Sequence, residues 1–302
     1  MIDRENFDYI KNIVRIKEEH DITSLYDILT VLKNNPEKTP SILIDKAQSL
    51  SCLQKNYDEI IRSLNDNDFV NFYTLAIELI NKDIDTTLLV NVLKTIKDLP
   101  DCQKTICDSF SINQFTSKSA LLSVADNLNI LNKKYNVAIW GSWYGSILIP
   151  MLAEKVNKII CIDLDESALQ IAKNRIFPNY KNIEYICDDV FKTYRDAYLD
   201  TNLIINTSCE HMPPMKDWKW FVAGALSTDQ DTTVFRNPKL PDECYFAFQS
   251  NNMFNIEGHI NCVNNMEEFK EQLPQRAEVL YEKEIVDTRG TRYMLVGKFN
   301  SL

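Results

Sequence analysis

The segment 135–165, YNVAIWGSWYGSILIPMLAEKVNKIICIDLD, constrains the fold of this chain more than any other part of it. Residues 136–140 form a short apolar run without helical periodicity, which predicts a strand buried on both faces. Apolar residues then recur at steps of three and four over 146–156, which predicts a helix, and 158–162 predicts a second strand that leads to Asp163. A strand, a tight turn, a helix and a strand in this order are typical of a nucleotide site.

The turn after the first strand reads GSWYG over 141–145. A dinucleotide site needs glycines in the order G-x-G-x-x-G so that backbone can approach a pyrophosphate, and the bulky Trp143 and Tyr144 do not suit that order. An acid at the end of the next strand can accept hydrogen bonds from both ribose hydroxyls, and Asp163 stands there, 22 residues after the first glycine. The pattern therefore favours a nucleoside-containing ligand other than a dinucleotide.

The spacing of Gly141 and Gly145 resembles the first motif of the class I S-adenosylmethionine-dependent methyltransferases, which reads acid, any, Gly, any, Gly, any, Gly. Ile139 stands where that family has the acid, and Trp143 stands where it has the middle glycine. The following ICIDLD and SALxxA, over 160–172, resemble the family's second strand, its ribose-binding acid and its next helix.

The resemblance covers about residues 130–302 and implies that S-adenosylmethionine is the cofactor. A third strand is predicted at 182–187 and ends at Asp188 and Asp189, which are similar to the acid that contacts the adenine amino group in the family. Each acid could otherwise cap a helix or lie in a solvated turn. The implied cofactor-binding residues are Gly141, Ser142, Gly145, Asp163, Leu164, Asp188, Asp189, Val190 and Asn206.

A fourth strand is predicted at 202–206, and it opens into the sequence TSCEHMPP. Glu210 and His211 resemble the Glu-His pair found at this place in many small-molecule methyltransferases. A neutral histidine can take a proton from a nucleophile near pH 7, so His211 is the predicted catalytic base, with Glu210 orienting it or recognising a substrate amine. The alternative is that Glu210 caps the following helix and His211 packs over the adenine.

Four residues are predicted to contact the substrate: Trp143, Tyr144, Asn251 and His259. Asn251 and His259 follow a fifth strand predicted at 244–249, on the ligand side of the sheet. The two aromatic residues, with Trp140, could wall the pocket or simply pack at a strand end. No metal is predicted, because the spacing of His211, His259, Cys209 and Cys262 matches no standard zinc pattern.

Alternating runs at 278–286 and 292–299 flank a turn and predict an antiparallel pair. The predicted fold is therefore α/β, a Rossmann-like, mostly parallel sheet with a terminal antiparallel strand pair, over a domain at 111–302. Residues 1–110 predict an all-α domain, because their apolar residues have helical spacing. Extra N-terminal helices in this superfamily lie over the cofactor cleft or bind the substrate, and the alternative is a dimerisation or stability element. The predicted helices are 7–18, 23–32, 41–53, 57–64, 69–80, 86–97 and 117–131.

Composition narrows the partners and the compartment. The net charge of −10 counts against a nucleic-acid footprint, so RNA is a disfavoured acceptor. No apolar run has the length of a membrane span, and the N-terminal MIDRENFDYIKN is unlike a secretory signal, so no membrane partner is expected. The eight cysteines form no CxxC pair, which favours free thiols in the cytoplasm; Cys161 and Cys187 fall in strands predicted to be buried.

The expected function is methyl transfer from S-adenosylmethionine to a small-molecule or protein acceptor. Three alternatives stay open at this point. One is methylation of RNA or a nucleotide, and another is a different S-adenosylmethionine reaction such as aminopropyl transfer. The third is a cofactor-binding assembly subunit without catalysis, which the residues Ile139 and Trp143 would support.

Overall fold

Seven strands form one mixed sheet in the order β3-β2-β1-β4-β5-β7-β6. Strands β1 to β5 are parallel wherever they pair, and β7 is antiparallel to both of its neighbours, β5 and β6. This arrangement confirms the predicted Rossmann-like, mostly parallel sheet with a terminal antiparallel pair. The strands are β1 Asn136–Trp140, β2 Lys158–Asp163, β3 Ile183–Cys187, β4 Leu203–Asn206, β5 Cys244–Asn251, β6 Ala277–Asp287 and β7 Gly290–Phe299.

The structure is a computed structural model that describes residues 58–81, 87–191, 201–218, 244–274, 276–287 and 289–300. The helices predicted at 7–18, 23–32 and 41–53 lie outside these residues. Among the described residues, no helix is long and apolar enough to cross a membrane.

The central strands are apolar along their length because a parallel sheet is covered on both faces. All of β4 is buried, and so is β1 from its second residue onwards. Trp140 is 1% exposed and packs edge-on against Trp218, with ring centroids 4.7 Å apart. Trp140 is therefore part of the core, which agrees with packing at the strand end and not with a pocket wall.

The edge strand β3 is more exposed than the centre of the sheet, and one prediction there is wrong. Cys161, in the central β2, is buried as predicted, but Cys187 at the end of β3 is exposed. The apolar pattern predicts that both strands are buried. It does not indicate that β3 lies at the edge of the sheet and pairs with β2 alone. The seven cysteines within the described part of the chain are free thiols.

The helices predicted at 57–64, 69–80 and 86–97 are present in the structure, with ends that differ by one to three residues. The helix predicted at 117–131 instead spans Ile112–Asn127 and ends in a Schellman motif: Asn129 has φ +56°, and the N–H of Ile130 donates to Ala125 O at 3.0 Å. The described α-helices are α1 Asp58–Ser63, α2 Asp66–Asn81, α3 Thr87–Asp98, α4 Gln103–Asp108, α5 Ile112–Asn127, α6 Leu148–Leu152, α7 Glu166–Ile171 and α8 Met266–Glu271. A π-helical turn, Ala172–Ile176, and the 3₁₀ turns Pro100–Cys102, Cys209–His211 and Met215–Asp217 complete them.

The chain divides into two compact units. The first contains described residues of 58–116 together with Tyr144–Met151 and Gln170–Asn179. The second contains Ser117–Trp143, Leu152–Leu169 and the described residues from Tyr180 onwards, and it includes the whole sheet. The predicted boundary near residue 110 stays a prediction.

Candidate functional site

The carboxyl ends of the five parallel strands bring the predicted residues of the second unit to one edge of the sheet. Gly141 follows β1, Asp163 ends β2, Asp188 follows β3, Asn206 ends β4 and Asn251 ends β5. The strand order reverses between β1 and β4, and in open α/β sheets ligands bind outside the carboxyl ends at that point. This edge is therefore the candidate site.

The turn after β1 is held by hydrogen bonds from its own backbone. The N–H groups of Gly141 and Ser142 both donate to Ile162 O, at 2.9 and 3.2 Å. Gly141 has φ +63° and Trp143 has φ +49°. A left-handed conformation costs a residue with a side chain about 1–2 kcal/mol, so Trp143 holds a strained backbone conformation where the family motif has glycine.

Asp163 joins this turn to the end of β2. Its Oδ2 accepts a hydrogen bond from the N–H of Trp143 at 2.6 Å, and its Oδ1 accepts one from the N–H of Asp165 at 2.9 Å. An ionised carboxylate has about four acceptor positions, so the half-buried Asp163 can still accept two hydroxyl donors. The geometry thus fits a ribose ligand. Asp163 also stabilises the turn after β1, which the sequence did not predict.

The residues after β2 and β3 lie beside one another. The N–H of Asp188 donates to Asp163 O at 3.0 Å, and the carboxylate of Asp189 accepts from the N–H of Phe191 at 2.9 Å. Leu164 is 69% exposed, whereas Val190 is 5% exposed and belongs to the core. Val190 can therefore present only its backbone to a ligand.

Asn206, at the end of β4, is fully buried. Its Oδ1 accepts from the N–H of Ser208 at 2.9 Å, and its Nδ2 lies 3.2 Å from the sulfur of Met212. A Cβ atom at Gly141 would lie 2.8 Å from Cε of Met212, so the turn after β1 and the segment after β4 pack closely. Asn206 supports this segment as well as bordering the site.

Glu210 is 3% exposed, and two neighbouring strands hold its carboxylate. Its Oε1 accepts from Nδ2 of Asn251 at 2.6 Å and lies 3.5 Å from Nη1 of Arg292. Asn251 and Arg292 are direct partners in the β5–β7 register. Asn251 was predicted to contact the substrate, and in the structure its amide binds Glu210. Arg292 is not predictable as a site residue, since an arginine at the start of an alternating strand carries no distinguishing signal.

His211 and His259 come together although 48 residues separate them in the sequence. Their rings are perpendicular, with centroids 4.6 Å apart. Nδ1 of His211 lies 2.9 Å from Gly258 O, and Nδ1 of His259 lies 2.9 Å from Met253 O. A carbonyl oxygen only accepts, so Nδ1 of each ring carries a proton and, in the neutral rings, each Nε2 offers a lone pair.

Burial and neighbouring charges shape the acid–base behaviour around Glu210. Burial lowers the pKa of His259, although the Glu210 carboxylate opposes that shift. Loss of hydration, followed by the nearby Arg292 cation, lowers the pKa of Lys118 to about 8. Burial also raises the pKa of the Cys209 and Cys262 thiols. His259 is therefore neutral near pH 7 and both thiols stay protonated.

Two predicted residues of the turn belong to the first unit. Tyr144 is 5% exposed, and its hydroxyl lies 3.1 Å from Oγ1 of Thr105 in α4. Gly145 has φ +64°, and its carbonyl accepts the N–H of Ile149 at the start of α6. The Tyr144 side chain is thus buried and contacts a residue of its own unit.

No known protein family and no curated protein matches the sequence of this chain. Solved structures with a similar chain path include the N-methyltransferase NodS of Bradyrhizobium japonicum in complex with S-adenosyl-L-homocysteine. It is 12% identical, with 62% of this chain and 87% of NodS covered and a TM-score of 0.46.

Two further similar structures are a SAM-dependent methyltransferase of Aquifex aeolicus and the fibrillarin pre-rRNA processing protein of Methanococcus jannaschii. The first is 13% identical, with 59% of this chain and 89% of that chain covered and a TM-score of 0.40. The second is 14% identical, with 57% and 69% covered and a TM-score of 0.41.

Proposed function

We propose that this protein is an S-adenosylmethionine-dependent methyltransferase that acts on a small-molecule or protein acceptor in the cytoplasm. The observation that carries the proposal is Asp163, a half-buried carboxylate with spare acceptor capacity beside a glycine-containing turn. The net charge of −10 favours an acceptor other than RNA, and the free thiols of the described residues favour a reducing compartment.

The residues present fit the cofactor at its nucleoside end. Asp163 can accept both ribose hydroxyls, and Asp188 and Leu164 border the same position. When bound, S-adenosylmethionine supplies an electrophilic methyl group on a sulfonium. The remaining task of the protein is to hold the nucleophile of the acceptor in line with that methyl group, and such alignment alone can supply about 7–11 kcal/mol of the barrier.

Glu210 and His211 are the proposed groups for proton transfer from the acceptor. Nδ1 of His211 is held by Gly258 O, so its Nε2 can accept a proton when the ring is neutral. Glu210 is anchored by Asn251 and keeps its position in the 3₁₀ turn that carries His211. Base catalysis is needed only for a nucleophile that must lose a proton, such as a hydroxyl.

The cofactor assignment is tested by a thermodynamic cycle on Asp163. Isothermal titration calorimetry compares S-adenosylhomocysteine with its 2′,3′-dideoxyribose analogue, on the native protein and on Asp163→Asn. The native protein should bind the parent ligand at least tenfold more tightly, since each hydrogen bond to a charged group contributes about 1.5–3 kcal/mol. In Asp163→Asn that preference should fall to about threefold or less.

The matched control is Asp165→Asn, because Asp165 lies two residues away and its carboxylate accepts from the N–H of Ala168 in α7. Asp165→Asn should keep the tenfold preference. An unchanged preference in Asp163→Asn would reject the ribose assignment even if overall affinity fell, since loosening of the turn weakens both ligands alike.

Catalysis is tested separately with tritium-labelled S-adenosylmethionine and fractionated cell extract. Transfer of label to small molecules or to proteins supports the corresponding acceptor class. Label recovered in RNA would overturn the acceptor assignment. Tight cofactor binding without transfer to any fraction would favour the assembly-subunit alternative.

A further inference from the structure

We propose that Glu210, His211 and His259 bind a divalent transition-metal ion. One ligand atom from each residue lies within 4.8 Å of those from the other two. Two imidazoles and one carboxylate are a donor set suited to zinc, iron, manganese or cobalt. The sequence spacing matched no standard zinc pattern because the two histidines follow different strands, β4 and β5, and meet only in the folded chain.

Both imidazole rings have the hydrogen-bonding arrangement that is usual for histidines that bind metals. Each Nδ1–H donates to a backbone carbonyl at 2.9 Å, Gly258 O for His211 and Met253 O for His259. In metal sites a hydrogen bond of this kind on the second ring nitrogen fixes the ring and its tautomer. Each Nε2 is then left free to bind the ion.

Glu210 gives an independent indication. Its Oε1 is held by Asn251 and Arg292, whereas its Oε2 is buried and has no hydrogen-bond partner within the described part of the chain. A buried polar atom without a partner is unfavourable, and more so when it is charged. A cation bound at Oε2 would remove this cost, while the hydrogen bonds at Oε1 would orient the carboxylate.

The cysteines nearby are not part of the proposed ligand set. The thiol of Cys262 lies 3.4 Å from Oδ1 of Asn251, and the thiol of Cys209 faces Asn206 O at 3.7 Å. Three protein ligands leave at least one coordination position for water or an acceptor oxygen. With the ion bound, an acceptor hydroxyl at that position would lose its proton to bulk water more easily, so His211 would not be needed as a free base.

The three side chains have to move closer together to bind an ion. Ligand atoms around a tetrahedral ion lie about 3.4 Å apart, compared with separations of up to 4.8 Å here. His211 is exposed, so its ring can move without repacking the core. The Arg292 and Lys118 cations near Glu210 oppose a positive ion, so we expect weaker binding than at a site without them.

The test is calorimetric titration of chelator-treated full-length protein with zinc, manganese and cobalt chlorides, without S-adenosylmethionine. One ion per chain should bind, and His211→Asn and His259→Asn should each weaken binding at least tenfold. Glu210→Gln should do the same, with thermal unfolding used to show that the variant is folded. His211→Asn carries the test if Glu210→Gln does not fold, because His211 is exposed.

Two control variants separate this ligand set from others. Glu257→Gln removes an exposed acid two residues before His259 and should leave the affinity unchanged within twofold. Cys262→Ser should also leave it unchanged. No saturable binding, binding that survives both histidine substitutions, or binding lost in Cys262→Ser would each overturn the proposal. Because no cofactor is present, failure here is distinguishable from failure of the methyltransferase assignment.

Discussion

The backbone N–H of Trp143 donates a 2.6 Å hydrogen bond to Oδ2 of Asp163. This bond links the left-handed backbone of the turn after β1 directly to the acid at the end of β2. The hydrogen bond offsets part of the cost of a tryptophan in a conformation that glycine adopts more readily. The shape of the turn and the position of Asp163 are therefore coupled.

The strain at Trp143 can be measured by comparing two truncations. Trp143→Gly should be about 1 kcal/mol more stable than Trp143→Ala in urea unfolding, because both lose the indole but only glycine relieves the left-handed conformation. Lys94, exposed in the middle of α3, provides the reverse control: there alanine should be more stable than glycine by about 1 kcal/mol. If Trp143→Ala proves at least as stable as Trp143→Gly, the backbone at position 143 is not strained.

Asn251→Leu should lower the free energy of unfolding by about 2–4 kcal/mol. The substitution removes the amide from Oε1 of Glu210 and leaves the N–H of Met253 without its acceptor in a buried place. Asn264→Leu is the control, since the exposed Asn264 amide binds Glu268 and its loss should cost about 1 kcal/mol or less. The cost at Asn251 should shrink in a Glu210→Gln background, and strictly additive effects would show that the two residues are not coupled.

Lys118→Met should raise the free energy of unfolding at pH 7 by about 1–2 kcal/mol, because Lys118 is half-buried and solvent screens part of the effect. The folded state binds this proton less tightly than the unfolded chain, because the pKa is lowered from 10.5 to about 8. The penalty is therefore fully present below pH 8 and disappears as the pH rises towards 10.5. Unfolding curves at pH 7 and pH 10 measure it.

The control for Lys118 is Lys155→Met, which removes an exposed lysine paired with Asp126 and should change stability by about 0.5 kcal/mol or less at either pH. A gain from Lys118→Met that is the same at both pH values would show that packing, not the charge, is responsible.

His211→Asn should lower turnover roughly 10²–10⁴-fold while the affinity for S-adenosylhomocysteine stays within about twofold of the native value. The ring is exposed and bound through Nδ1 to Gly258 O, so its loss should not disturb Asp163. Single-turnover kinetics and calorimetry measure the two quantities. A large loss of cofactor affinity with unchanged turnover at saturation would instead assign His211 to covering the adenine.

Chelator treatment distinguishes the two ways in which His211 could promote proton loss. If a bound ion activates the acceptor, chelation of the native protein should reproduce the His211→Asn defect, and added metal should restore activity. Turnover that does not respond to chelation would assign the role to a free imidazole.

The sequence by itself determined the features that depend on local pattern. The apolar run of β1, the turn at Gly141 and the position of Asp163 at a strand end are all readable because strand and turn preferences act over a few residues. The antiparallel pair β6 and β7 was readable for the same reason. Even so, Cys187 was predicted as buried, since a local pattern does not say which strand forms the edge.

Only the tertiary structure decided what surrounds Glu210. Arg292 reaches it because β7 pairs with β5 in a register that places Arg292 beside Asn251, and no local preference sets that register. His211 and His259 meet because the loops after β4 and β5 leave the same edge of the sheet. Parallel strands bring the ends of distant segments together, so the chemistry of this edge depends on strand order, which the spacing of residues along the chain does not contain.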